Sequence, residues 1–198
     1  SNSAVIRKHL DKNDKVFHGD IFGSPFFILK DAENVPDTTM NEIAHATVCF
    51  SRAWREALYG VSAYWVLPDQ VKKSAPSGEF LPKGSFTIEG QRNFIKSETL
   101  KLAVGIIQLE DNDHVLTCGP PEAIKKNSIC YAIIEPNGSE MAECAKKIRL
   151  EFLKIFEDIT RKINIDEFVR ALPAGKSQIK EISLGDLEKE NIIDNELE

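Results

Sequence analysis

The sequence predicts an α+β fold, a mixed and largely antiparallel sheet packed by two long helices. Three observations carry that reading. Segments 38–59 and 139–159 repeat apolar residues every three to four positions, the period that lines one face of a helix. The other apolar segments are short, rich in β-branched and aromatic residues, and bounded by Gly, Pro, Asn or Asp, as strands are. Their order, β-β-α-β followed by several strands and a helix, lacks the alternation of a doubly wound parallel sheet.

"SAVIRKHL" (3–10) reads as a short helix with Val5, Ile6 and Leu10 inward. "KVFHGDI" (15–21) and "FFILK" (26–30) read as strands joined by the turn "FGSP". "DAENVPDTT" is a loop by its Asp, Asn and Pro. In helix 38–59, Thr38 or Thr39 can cap, and Glu42 can complete a capping box from Thr39. Ile43, Thr47, Phe50, Trp54 and Leu58 form its apolar stripe, and Gly60 is the expected stop. "VSAYWVL" (61–67) reads as a strand, "GSFTIEGQRNFI" as a hairpin turning near Glu89-Gly90, and 100–110 with 114–118 as a second hairpin around "DND". "GPPEAIKKN" is a turn with one helical turn, and 128–135 a strand. In helix 139–159, Ser139 is the expected cap, with Met141, Cys144, Ala145, Ile148, Phe152, Ile155 and Ile159 buried. "DEFVRAL" (166–172) is a short helix stopped by Pro173, and the acidic end a frayed helix or disordered.

The 198 residues are enough for one ordinary domain, or one domain with a small appendage, and a 42% apolar content supports a real core. The formal net charge is -6, which alone argues against a nucleic-acid partner, but its distribution matters more. Residues 181–198 hold seven acids and one lysine, leaving the rest balanced, and 51–101 hold eight basic residues against five acids. Cys49, Cys118, Cys130 and Cys144 show no CxxC spacing, so reduced thiols of an intracellular, cytoplasmic protein are expected, with no zinc site. No run approaches the roughly 20 apolar residues of a membrane span, and no signal peptide is visible.

Glycine-rich phosphate loops and the GxSxG nucleophile elbow are absent from the sequence. His18 and Asp20 lie two apart, on one face of a strand. The pair suits three roles: hydrogen bonding the next turn, contacting a ligand, or acting as base and orienter. The stretch "QVKKSAPSGEFLPKGSF" (70–86) is long and without period, with Pro76 and Pro82 stiffening it. Lys72, Lys73 and Lys83 charge it, and Arg92 and Lys96 extend the charge along the next segment. Tyr64, Trp65, Phe80, Phe86 and Phe94 interleave aromatics. Phe86, Ile88 and Tyr64 are expected inward by alternation. Such a surface suits RNA, with cations on phosphates and rings on bases. A solvated charged loop is the competing reading.

"NSAVIRKHLDKNDKVFHGDIFGSPFFILKD" and, more closely, "SRAWREALYGVSAYWVLPDQVKKSAPSGEFLPKGSFTIEGQRNFI" resemble the NFACT-R domain of the NFACT family, in its archaeal and eukaryotic branch. Gln70, Val71, Lys73, Ala75, Pro76, Gly78, Glu79, Leu81, Gly84, Ser85, Phe86, Ile88 and Gly90 match in register, and "GPPEAIKKNSICYAIIEPN" resembles a stretch that follows in archaeal members. The resemblance covers 2–135 well and 136–180 more loosely. It implies a carboxy-terminal RNA-binding piece of a longer ribosome-associated quality-control factor, one that engages the large ribosomal subunit and tRNA at stalled nascent chains. Ribosomal proteins are further expected contacts. The ribosome makes the peptide bond, so no enzymatic activity and no cofactor are expected of the module. Ser3 stands where the family has Glu, and the family's preceding strand is absent, so the chain is expected to open inside the domain.

The expected division is an NFACT-R-like domain over 1–118, an α/β extension packed on it over 119–180, and an acidic tail over 181–198. The expected RNA- or ribosome-contacting set is His18, Asp20, Gly23, Lys72, Lys73, Ser74, Lys83, Arg92 and Lys96, with no catalytic residue and no metal ligand. The alternative is a protein-docking module with no direct RNA contact. Extracellular adhesion, and a hydrolase built on His18 and Asp20, have less to support them.

Overall fold

The computed structural model describes residues 10–72 and 86–196, with side chains to residue 192. The fold is α+β, and its strands pair antiparallel in two four-stranded sheets and one two-stranded ribbon among the described residues. The chain divides into two compact units, one running to Arg52 and resuming over Tyr59–Glu98, the other formed by Ala53–Leu58 with Thr99–Glu198.

The first unit contains β1 (Lys15–Gly19), β2 (Phe26–Leu29), α1 (Asp37–Cys49), β3 (Ser62–Val66), β4 (Val71–Lys72), β5 (Thr87–Ile88) and β6 (Asn93–Lys96). Its sheet runs β2-β1-β3-β6, and β4 pairs with β5 as a separate ribbon. Alternation sorts the side chains. Phe17 and Ala63 are fully buried on the face against which α1 packs. Val16, Tyr64 and Val66 lie on the other face, where Leu10, Phe26, Val71 and Ile88 close over them.

Several expectations change here. The predicted hairpin over 84–95 does not form, because β5 pairs with β4 while β6 pairs with β3. Gly90, at φ +78°, still turns the chain, but between two different partners. The helix 38–59 is interrupted. It starts at Asp37 after Pro36, with no side-chain cap, and ends at Cys49. The hydroxyls of Thr47 and Ser51 donate to the carbonyls of Ile43 and Val48 at 2.7 and 2.6 Å. Such local bonds compete with helix propagation. A short α2 (Arg52–Glu56) follows. Ala57 ends it at φ 50°, with Ala57 and Leu58 N–H groups donating to Trp54 and Ala53 carbonyls, a Schellman arrangement three residues before the expected Gly60. The buried stripe is Met40, Ala44, Thr47 and Val48, and Leu58 is exposed.

The second unit orders β10 (Ser177–Leu184), β9 (Ser128–Ser139), β7 (Leu102–Gln108) and β8 (His114–Gly119) into one sheet. α3 (Pro121–Asn127) packs on one face, where Ile124 lies against Ala103 and Tyr131. A Cβ added at Gly105 would sit 2.5 Å from Ile124, so only glycine lets α3 approach so closely. α4 (Met141–Ile155) buries Cys144, Ala145, Ile148 and Phe152 and packs against β9 and β10. Ser139 does not cap α4, and Ile155 is exposed. The expected helix 139–159 breaks at Phe156 into α4 and α5 (Glu157–Arg161). α6 (Ile165–Ala171) carries a capping box between Asn164 and Glu167. Within the acidic end, 181–184 belong to β10 and α7 spans Asp186–Glu196. The buried Trp54 of α2 belongs to this unit, its indole N–H donating to the Ser177 hydroxyl at 3.1 Å.

Candidate nucleic-acid interface

Four rings stand in one row across the first sheet. The strand register places Phe26 opposite His18, His18 opposite Tyr64, and Tyr64 opposite Phe94. Neighbouring centroids lie 4.6, 5.8 and 5.5 Å apart, within the range where aromatic pairs add stability beyond burial. Phe86 meets Phe26 edge-on at 6.0 Å. The Arg92 guanidinium lies 4.9 Å over the Tyr64 ring, a cation–π contact. Tyr64 is buried, whereas Phe94 is 55% exposed.

Burial, and then the Arg92 charge, lower the His18 pKa, against the raising effect of neighbouring backbone bonds and of Asp20. Burial raises the Tyr64 pKa. The Tyr64 hydroxyl therefore keeps its proton and faces the His18 Nδ1, 3.4 Å away.

The turn after β1 is tightly built. The Gly19 N–H donates to the Ser24 hydroxyl at 2.8 Å, and that hydroxyl donates to the Pro25 carbonyl at 3.0 Å. A Cβ at Gly19 would stand 2.9 Å from the Ser24 oxygen, so the turn needs glycine there. Gly23 takes φ +78°, and Phe22 projects from the turn 86% exposed.

A second clamp holds the approach to β6. The Gln70 Oε1 accepts the Leu67 N–H at 2.9 Å, and its Nε2 donates to the carbonyls of Glu89 and Gln91, each at 2.8 Å. This fixes the bend from which Arg92 emerges.

Of the expected contact set, the structure gathers His18 and Arg92 around Tyr64. Lys96 lies on the same side of β6 as Phe94, 3.5 Å from Glu98. Asp20 is exposed at the end of β1, and Gly23 shapes the turn beyond it. Lys72 sits on the β4–β5 ribbon opposite Thr87. Lys73, Ser74 and Lys83 lie outside the described residues, as do Val5 and Ile6 of the expected first helix. The set omitted Phe22, Ser24, Gln70, Tyr64 and Phe94. For Phe94 the signal was available, since Arg92, Phe94 and Lys96 are spaced by two in the sequence, the period of a strand face.

No group of three or more His, Cys, Asp or Glu suited to a metal occurs among the described residues. Cys49, Cys130 and Cys144 are buried, and burial pushes the Cys130 thiol up to about 12. No described helix is long and apolar enough to cross a membrane.

An antiparallel sheet bearing a row of rings with cations beside it has the features of a nucleic-acid-binding domain. Residues 1–90 match the family model described as NFACT protein RNA binding domain. The chain is 36% identical over 180 residues to the archaeal Rqc2 homolog aRqcH of Methanocaldococcus jannaschii, covering 90% of this chain and 26% of that protein. It is 30% identical over 169 residues to the ribosome quality control complex subunit NEMF homolog of Drosophila melanogaster, covering 84% and 16%. Against ribosome quality control complex subunit NEMF of Homo sapiens the identity is 33% over 108 residues, covering 54% and 10%. Over residues 1–90 the chain is thus similar to the NFACT RNA-binding domain, and along most of its length to the archaeal and fly quality-control proteins. The chain spans about a quarter or less of the length of these relatives.

Proposed function

We propose that this chain is an RNA-binding module that engages the large ribosomal subunit and tRNA at stalled nascent chains, in the cytoplasm. The observation that carries the proposal is the face of the first sheet, where Arg92 and Lys96 flank the exposed Phe94 beside a braced row of rings. Support also comes from the family match and from relatives named as quality-control subunits. In this reading the module makes no bond itself. His18 and Tyr64 hold the ring row in place, Gly23 shapes the adjacent turn, and the 70–84 stretch with Lys72, Lys73, Ser74 and Lys83 supplies further backbone contacts.

The test is binding of the chain to purified large subunits and to tRNA at about 50 and 200 mM salt, with and without Arg92→Ala and Lys96→Ala together. Each phosphate contact contributes about 0.7–0.9 to the log–log salt slope. The double variant should therefore flatten that slope by about 1.5. Salt-independent binding, or none by the folded chain, would defeat the reading. It would favour protein docking instead, for which Leu150, 58% exposed on α4, offers an apolar contact.

A further inference from the structure

Phe94 is a large apolar ring left 55% exposed on the outer strand of its sheet. Its setting is rigid. The ring meets the buried Tyr64 edge-on, 5.5 Å between centroids and 63° between planes. The Asn93 side chain donates to the Trp65 carbonyl at 3.2 Å, and just after the strand the buried Ser97 meets His45 Nδ1 at 2.8 Å. The strand and ring are thus oriented before any partner arrives, which lowers the entropy lost on binding. Same-face neighbours on a strand stand about 7 Å apart, which puts the exposed Lys96 beside the ring, and the exposed Arg92, just before the strand, holds its guanidinium 4.9 Å over the neighbouring Tyr64 ring, so cations flank Phe94.

We propose that this outward row of Arg92, Phe94 and Lys96 is a stacking site for one unpaired base of RNA. Phe94 meets the base face, and the two cations meet the phosphates before and after it. The inference rests on the RNA-binding reading and sharpens it to single-stranded or looped RNA. A base face is available to a side chain only where the base is unpaired, and a phenyl ring without hydrogen-bonding groups stacks on any base. The Glu98 carboxylate pairs with Lys96 at 3.5 Å with both side chains exposed. Such a pair is weak and yields to phosphate. The exposed Asp20 at the end of β1 repels phosphate there, which directs the nucleic-acid backbone along β6 rather than across the sheet.

The test uses the whole chain and two probes, a labelled oligoadenylate and the same strand annealed into an RNA duplex. Phe94→Leu keeps apolar bulk and removes the ring, whereas Phe94→Tyr keeps the ring. Stacking predicts that Phe94→Leu weakens binding of the single strand by about 5- to 150-fold. Phe94→Tyr should bind as the parent does, and the duplex should be insensitive to either change. In Phe94→Trp, the added indole fluorescence should be quenched by the single strand. Undiminished binding by Phe94→Leu, or an unquenched Trp, would overturn the stacking site while leaving RNA binding intact if Arg92→Ala still weakens it. Failure of the parent chain to bind either probe at about 50 mM salt would overturn the RNA reading and the stacking site together.

Discussion

Gln70 joins three backbone groups through one amide, and replacing that amide separates its donor and acceptor roles. Alanine removes the bonds to Leu67, Glu89 and Gln91. All three are solvent-exposed, so water takes over much of each, and about 0.5 kcal/mol apiece is appropriate, the low end for such bonds. The expected loss is about 1.5 kcal/mol. Gln70→Glu has the same shape and keeps the acceptor for the Leu67 N–H. It places a carboxylate oxygen where the amide nitrogen now stands 2.8 Å from two carbonyl oxygens. At pH 7 it should cost at least as much as alanine. Below the ordinary glutamate pKa of about 4.3 the protonated acid can donate again, and the difference from the parent should narrow. Urea unfolding of parent, Ala and Glu forms at both pH values measures this. A Glu form as stable as the parent at pH 7, or less costly than Ala, would refute the assignment of donor and acceptor at Gln70.

Gly185→Ala should be far more damaging. Its Cβ would lie 1.8 Å from the Ser128 carbonyl oxygen, and the Gly185 N–H donates to Ile129 at 2.8 Å. The end of β10 must therefore part from β9, at a cost of about 3 kcal/mol or more for lost bonds and buried surface; an unchanged urea midpoint would refute this. For His18 the folded pKa lies below the ordinary 6.5, so the unfolded chain takes up the proton first. The stability it lends is complete above the unfolded value and is lost as pH falls through it toward the lower folded value. His18→Gln should flatten the stability profile over that acid limb, and a profile with the parent's slope would show that other groups set it.

The sequence made β1, β2, β3 and the β7–β8 hairpin legible because each strand is a short run rich in β-branched and aromatic residues with turn residues at its ends. Pairing partners were less legible. The alternation in "GSFTIEGQRNFI" is real, but nothing local says that its two halves pair with β4 and β3 rather than with each other. β10 was hidden by an irregularity. The register shifts between Ile179 and Glu181, so Ile179, Ile182 and Leu184 fall out of a simple two-residue phase. The helix break at Phe50–Ser51 lies inside an uninterrupted apolar period, and two ordinary hydroxyls decide it. His18, Asp20 and the cations were legible as residue types. That Tyr64 would stand buried between His18 and Arg92, leaving Phe94 as the accessible ring, depends on register across four strands.

Trp54 finds its hydrogen-bond partner 123 residues further along, at Ser177. Gly175 is pressed so close to Arg55 that a Cβ there would come within 2.7 Å of its Cα. A truncation after Glu98 would therefore not yield a free-standing amino-terminal half. It would strand residues 53–58 without the strand that covers them and turn a fully buried indole toward water. During synthesis the same segment must wait for β10 to emerge before it can settle, which makes this six-residue splice a late step in the maturation of the chain.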